Sequence, residues 1–158
     1  MTREDKQQFT LRITQANPTE LTVILYEMLL CYIEDAKAAL VQNEELQLHA
    51  AARSARGCLN ELLNSLHMEY APAPELCKLY MFCIRRLALG EYKKSAELLG
   101  EIERVIRPLH DAYRSIAHQD TSGAVMNNSQ AVYAGLTYGR EALTENMADQ
   151  GANRGMLV

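Results

Sequence analysis

The sequence predicts an all-α protein: an antiparallel up-down four-helix bundle over residues 18–118, with an N-terminal arm at 1–17 and a flexible, polar C-terminal tail at 119–158. Three observations predict it. Apolar residues recur at three-and-four spacing through four long segments, the period of a helix with one buried face. Short turn signals separate these segments, which favours antiparallel neighbours. No run within the four segments shows strand character.

In the arm, Phe9, Leu11 and Ile13 alternate within otherwise polar sequence. They read either as an extended strip laid across an apolar groove or as a fraying terminus. The first helix has the clearest start in the chain. Asn17 caps with its side-chain oxygen, Pro18 suits the first helical position, and Glu20 stands where a capping box places a carboxylate. Leu21, Ile24, Leu25, Met28, Tyr32 and Ala36 form its apolar stripe, and the spacing carries the helix to about Gln42. Val23, Tyr26, Leu29, Leu30 and Ile33 fall on other faces, so this helix is either central or the recipient of a partner.

Asn43, Glu44 and Glu45 mark a tight turn, with acidic residues opposing the positive end of the next helix dipole. Ala52, Ala55, Leu59, Leu62 and Leu66 carry the second helix to about Met68. The Ala71-Pro72-Ala73-Pro74 run is a loop, since two prolines remove backbone donors and disfavour helical geometry before them. The third helix spans about Glu75 to Leu89, with Leu76, Leu79, Tyr80, Cys83 and Leu87 on one stripe and Gly90 as its C-terminal stop. Leu98, Ile102, Val105, Leu109, Tyr113 and Ile116 give the fourth, from between Glu91 and Ser95 to near His118. Pro108 predicts a bend or short break near residues 104–108. Beyond Gln119 the composition turns to glycine and asparagine, with five of the eight glycines in the last quarter. One apolar island interrupts it at 132–139, VYAGLTYG, either a docking segment or chance stickiness in a polar tail.

Composition narrows the function. The 158 residues are 48% hydrophobic and 23% charged with a formal net charge of -4, which fits one domain with a substantial core. Mild acidity and scattered basic residues exclude a nucleic-acid binder. No stretch reaches the roughly 20 apolar residues of a membrane span, and the polar start lacks a signal-peptide core, so neither membrane insertion nor export is expected and the location is cytoplasmic. Cys31, Cys58, Cys77 and Cys83 lack paired short spacing and read as free thiols in a reducing compartment. The Glu-x-x-His pairs of di-iron bundles are absent, and Glu45 with His49 reads as a solvated surface pair. His67, His110 and His118 have no ligand set around them, and neither a nucleophile elbow nor a phosphate-cradling glycine loop occurs. Catalytic residues, metal and cofactor are therefore all expected to be absent. What remains is apolar surface in excess of a bundle seam, on the first and third helices, which calls for a helical or folding-on-binding partner, or for self-association.

Three motifs resemble one family. ANPTELTVILYE, Ala16 to Glu27, is similar to the Ala-Ser-Pro-x-x-Leu opening of the flagellar secretion chaperones of the FliS family, with Asn17 in place of serine. LCKLYMFCIRRL, Leu76 to Leu87, resembles that family's Leu-x-x-Leu-Tyr-x-Tyr-x-x-Arg-Arg-Leu signature through Leu76, Leu79, Tyr80, Phe82, Arg85, Arg86 and Leu87. Asp111-Ala112-Tyr113 stands where the family often has Asp-Ala-Trp. The resemblance spans roughly residues 9–118.

The resemblance implies a cytoplasmic helical bundle that binds the disordered C-terminal segment of flagellin, prevents premature polymerisation and assists type III secretion, with export-apparatus components as further partners. It brings no cofactor, and the chain is expected to be a monomer or weak homodimer; the alternative is a helical adaptor or self-associating bundle without a flagellin client. On the helix faces above, the expected flagellin-binding residues are Leu59, Leu62, Leu66, Leu76, Tyr80, Ile84, Leu87, Ile102, Ile106 and Tyr113. Arg85 and Arg86 are either polar anchors for the client or partners of an acidic residue on a neighbouring helix. In the family an N-terminal arm with a tyrosine and an aliphatic residue covers the groove. Here Ile13 fits the aliphatic position, Gln8 stands at the tyrosine position and Phe9 lies one residue further on. Val132, Tyr133, Leu136 and Tyr138 are expected to plug the groove from the tail, so that deleting 119–158 tightens client binding.

Overall fold

Five α-helices fold where four were expected. They are α1 (Arg3–Gln15), α2 (Pro18–Gln42), α3 (Glu45–Asn64), α4 (Ala73–Lys93) and α5 (Ala96–Ile116), followed by a 3-10 turn at Ala117–Gln119, and no strand occurs among the described residues. The computed structural model describes residues 1–126. The expected tail plug, with Val132, Tyr133, Leu136, Tyr138 and the segment 132–139, lies outside the described residues.

The extra helix is α1, built from the expected arm. Thr2 Oγ1 accepts from the Asp5 N–H at 3.1 Å and the Asp5 carboxylate accepts from the Thr2 N–H at 2.8 Å. This is a capping box with aspartate in the glutamate's place, and it starts a helix whose apolar residues had suggested an extended strip. α2 repeats the device as expected: Asn17 Oδ1 accepts from the Glu20 N–H at 2.8 Å and Glu20 returns the bond at 3.0 Å. It ends at Gln42, where Asn43 turns left-handed with φ 57°, a conformation asparagine tolerates.

Other boundaries differ from the expectation, and α4 already begins at Ala73, within the expected proline loop, because Pro74 suits the first turn of a helix. α3 stops at Asn64, four residues before Met68. α4 continues through Gly90 to Lys93, and Lys94 takes the left-handed position at φ 53°. Gly90 is thus not a stop but a close approach, since a Cβ there would meet Leu99 Cδ2 at 2.9 Å. α5 runs unbroken through Pro108, which is exposed, as is Arg104, whose carbonyl loses its partner there; water on that face can satisfy it.

α2 packs against α3 and α5, α4 packs against the same two, and α1 lies on α2 alone. The four longer helices therefore close a ring around one core. From α2 the core takes Tyr26, Leu29, Ile33 and Ala36, each fully buried. Of the stripe expected to face inward, Ile24 and Ala36 are buried, whereas Leu21, Leu25, Met28 and Tyr32 are only half-buried and flank the seam. A helix this apolar offers two plausible stripes, and neighbouring helices choose between them. The compact unit runs from Met1 to Val125, past the expected boundary at 118.

Candidate functional site

Seven of the ten expected binding residues have no free surface. Leu59, Leu62, Leu76, Tyr80, Leu87, Ile102 and Ile106 are each at most 5% exposed and fill the core. Burying each large side chain contributes roughly 1.5–3 kcal/mol, so these residues hold the ring of helices together. The reason is geometric: on α3, α4 and α5 the regularly spaced apolar stripe is the one the helix turns toward its neighbours. Leu66, Ile84 and Tyr113 remain half-buried at the rim of the core, open on one side.

The outer face of α4 carries a patch that the helical period on its inner face concealed. Phe82 and Leu89 lie two turns apart and, with Arg85 and Arg86, line a shallow cavity of about 360 Å³. Arg86 is committed within the fold: its Nε lies 2.8 Å from a Glu101 carboxylate oxygen of α5 in an ion pair, and its guanidinium lies 5.0 Å from the Phe82 ring centre. Arg85 is exposed and makes no ion pair among the described residues. One arginine is therefore structural and its neighbour faces outward beside an apolar patch. That arrangement suits a peptide presenting an apolar side chain next to a carboxylate or free carbonyl.

Beneath the rim, α2, α4 and α5 meet through three tyrosines. The Tyr26 and Tyr80 hydroxyls share a hydrogen bond. Their ring centres are 6.3 Å apart, and Tyr113 stands edge-on to Tyr26 at 5.7 Å. Burial raises the pKa of all three phenols, to about 12 at Tyr80. Periodicity had placed Tyr26 off the core face, and a contact 54 residues away leaves no local signal.

α1 covers the remaining apolar side of α2. Arg12 reaches Glu27 at 2.5 Å and the Met1 ammonium reaches Asp35 at 2.6 Å, so α1 runs back along α2. His110 of α5 joins Glu27 at 3.3 Å. Burial opposes ionisation of Glu27, but hydrogen bonds from Arg12 and His110 outweigh it and hold the carboxyl below its ordinary range. Phe9 and Ile13, the expected covering residues, sit half-buried on this helix, and Phe9 stacks 5.6 Å from Arg12.

His49 binds Glu91 at 2.6 Å and lies 3.9 Å from Glu45, in an exposed cluster with Arg56. Among the described residues no three His, Cys, Asp or Glu side chains group in a way that holds a metal ion. No helix among them is long and apolar enough to cross a membrane. Cys58 and Cys83 are buried thiols pushed up to about 12 by burial, which suits packing rather than reactivity.

Comparison with known families matches residues 1–120 to the family described as "Flagellar protein FliS". No individual curated protein matches the chain. The matched span covers all five helices and the turn after α5, and ends at Asp120.

Proposed function

Because the chain belongs to the FliS family of flagellar proteins, we propose that it is a cytoplasmic export chaperone that binds the disordered C-terminal segment of flagellin, prevents its premature polymerisation and assists its type III secretion. The observation that carries the proposal is the family match across the whole helical unit. The surface of α4 supports it: half-buried Phe82, Ile84 and Leu89 beside an outward Arg85.

A client segment that is disordered in the free monomer loses conformational entropy on binding, and only extended apolar burial offsets that loss. The half-buried rim supplies such area without opening the core. In this reading Leu66, Ile84, Tyr113 and Arg85 face the client, while Leu59, Leu62, Leu76, Tyr80, Leu87, Ile102 and Ile106 set the spacing of the helices that present them. The antiparallel bundle is the rigid frame, and export-apparatus components meet the loaded complex.

Calorimetric titration of the full chain with a peptide of roughly the last forty residues of flagellin tests this, because coupled folding and apolar burial give a large negative heat-capacity change. One-to-one binding with that signature is expected. A folded protein that gives no heat at several temperatures, and is dimeric by light scattering, is instead a self-associating bundle.

A further inference from the structure

The chain beyond α5 folds back onto the corner between α1 and α2. Asp120 Oδ2 accepts from the Thr19 N–H at 3.2 Å and from the Thr19 hydroxyl at 2.6 Å, at the first turn of α2. The Asn17 side-chain amide donates to the Asp120 carbonyl at 3.2 Å. Five residues on, the Val125 N–H donates to the carbonyl of Ala16, in the two-residue link between α1 and α2, at 3.0 Å. Four hydrogen bonds thus join Asp120 and Val125 to residues 16–19, about a hundred positions earlier in the chain. Ser122 helps to fix the Asp120 carboxylate through its own N–H at 2.9 Å.

α1 needs such a fixture. Its only buried residue is Thr14, so apolar burial contributes little to holding it. The side chains beneath its end, Val23 and Ile24, are 6% and 2% exposed yet stand apart from the main core cluster. They line a small cavity with Arg12, Gln15, Ala16 and Ala117, which belong to α1, the corner and the turn after α5. The lining of that cavity thus comes from α1, the corner, the start of α2 and the turn after α5.

We propose that Asp120–Val125 is a strap that locks the α1–α2 corner, so that releasing the strap frees α1 to swing from α2 and uncovers Val23 and Ile24. The strap acts on the backbone at the hinge, where a small change of direction moves the far end of a 13-residue helix by many ångströms. α1 is thereby governed from the C-terminal end of the unit. This goes beyond the flagellin reading and does not rest on it.

Hydrogen exchange read by mass spectrometry on the full chain tests the strap with two variants. Asp120→Ala removes the bonds to Thr19, and Val125→Pro removes the N–H that reaches Ala16 while leaving the cap of α2 intact. Both are expected to accelerate exchange across α1 about tenfold, the effect of losing one good cap or turn bond, with exchange in α4 unchanged. Exchange in α1 that stays at the parent rate in either variant, or that rises only in step with α4, overturns the proposal. In the first case Asp120 merely caps α2, and in the second the whole fold has loosened.

Discussion

Tyr26 buries a phenol whose hydroxyl has one partner, the hydroxyl of Tyr80. Removing one member strands the other in the core, and an unsatisfied buried hydroxyl costs about 1–3 kcal/mol. Tyr26→Phe and Tyr80→Phe should each lower stability by that amount in urea melts, while the double variant should cost clearly less than the sum. The same burial sets an alkaline limit. Cys58 and Cys83 rise from 9.0 to about 12, Tyr80 rises from 10.0 to about 12, and Tyr26 rises too. A group whose folded pKa is raised keeps its proton in the folded state after the unfolded chain has lost it. Its contribution is complete below the unfolded pKa and is lost as pH rises toward the folded one. Stability should therefore hold to about pH 9 and fall progressively toward pH 12. Urea midpoints that stay level between pH 8 and 11 would contradict this placement of the phenols and thiols.

At the scale of elements, glycines separate close packing from open helix surface. Gly90→Ala gains roughly 0.5–1 kcal/mol of helix propensity. It also puts a Cβ 2.9 Å from Leu99 Cδ2 and 3.2 Å from its Cγ, on a side chain with no exposed surface to move into. Overpacking of this kind costs about 1–3 kcal/mol, so the variant should melt lower than the parent. Gly57→Ala in α3 and Gly100→Ala in α5 meet nothing within 4 Å and should melt higher. The contrast also marks how far elements were legible in the sequence. The start and end of α2 were read correctly because Asn17, Pro18, Glu20 and Asn43 act on their own neighbours. α1 was missed because Phe9, Leu11 and Ile13 alternate, while the local signal, Thr2 with Asp5, uses a shorter carboxylate than the usual capping box. Gly90 was misread because its reason lies on α5, nine residues away across a turn.

For the whole molecule, the apolar residues that fill the core and those proposed to face a client are different sets, although sequence periodicity presents them as one. Ile102 and Ile84 both lie on apolar helical spacing, yet Ile102 is fully buried and Ile84 is open on one side. No local pattern distinguishes them, since which stripe faces the core depends on the packing of α3, α4 and α5 around α2. Ile102→Ala should lose about 2–5 kcal/mol of stability through the cavity it leaves, and any loss of flagellin binding should track the fraction unfolded. Ile84→Asp places a charge on the rim, and exposed Arg85→Glu reverses the charge beside Phe82 without touching the core. Arg85→Glu should therefore melt within a few degrees of the parent while binding the flagellin peptide about tenfold more weakly, the scale of one lost charge-assisted contact. Melts and titrations on the same preparations separate the two effects. If Arg85→Glu binds as tightly as the parent, and Ile84→Asp weakens binding only as far as it unfolds, the client does not use the outer face of α4. The surface beneath α1, floored by Val23 and Ile24, would then be the site to examine.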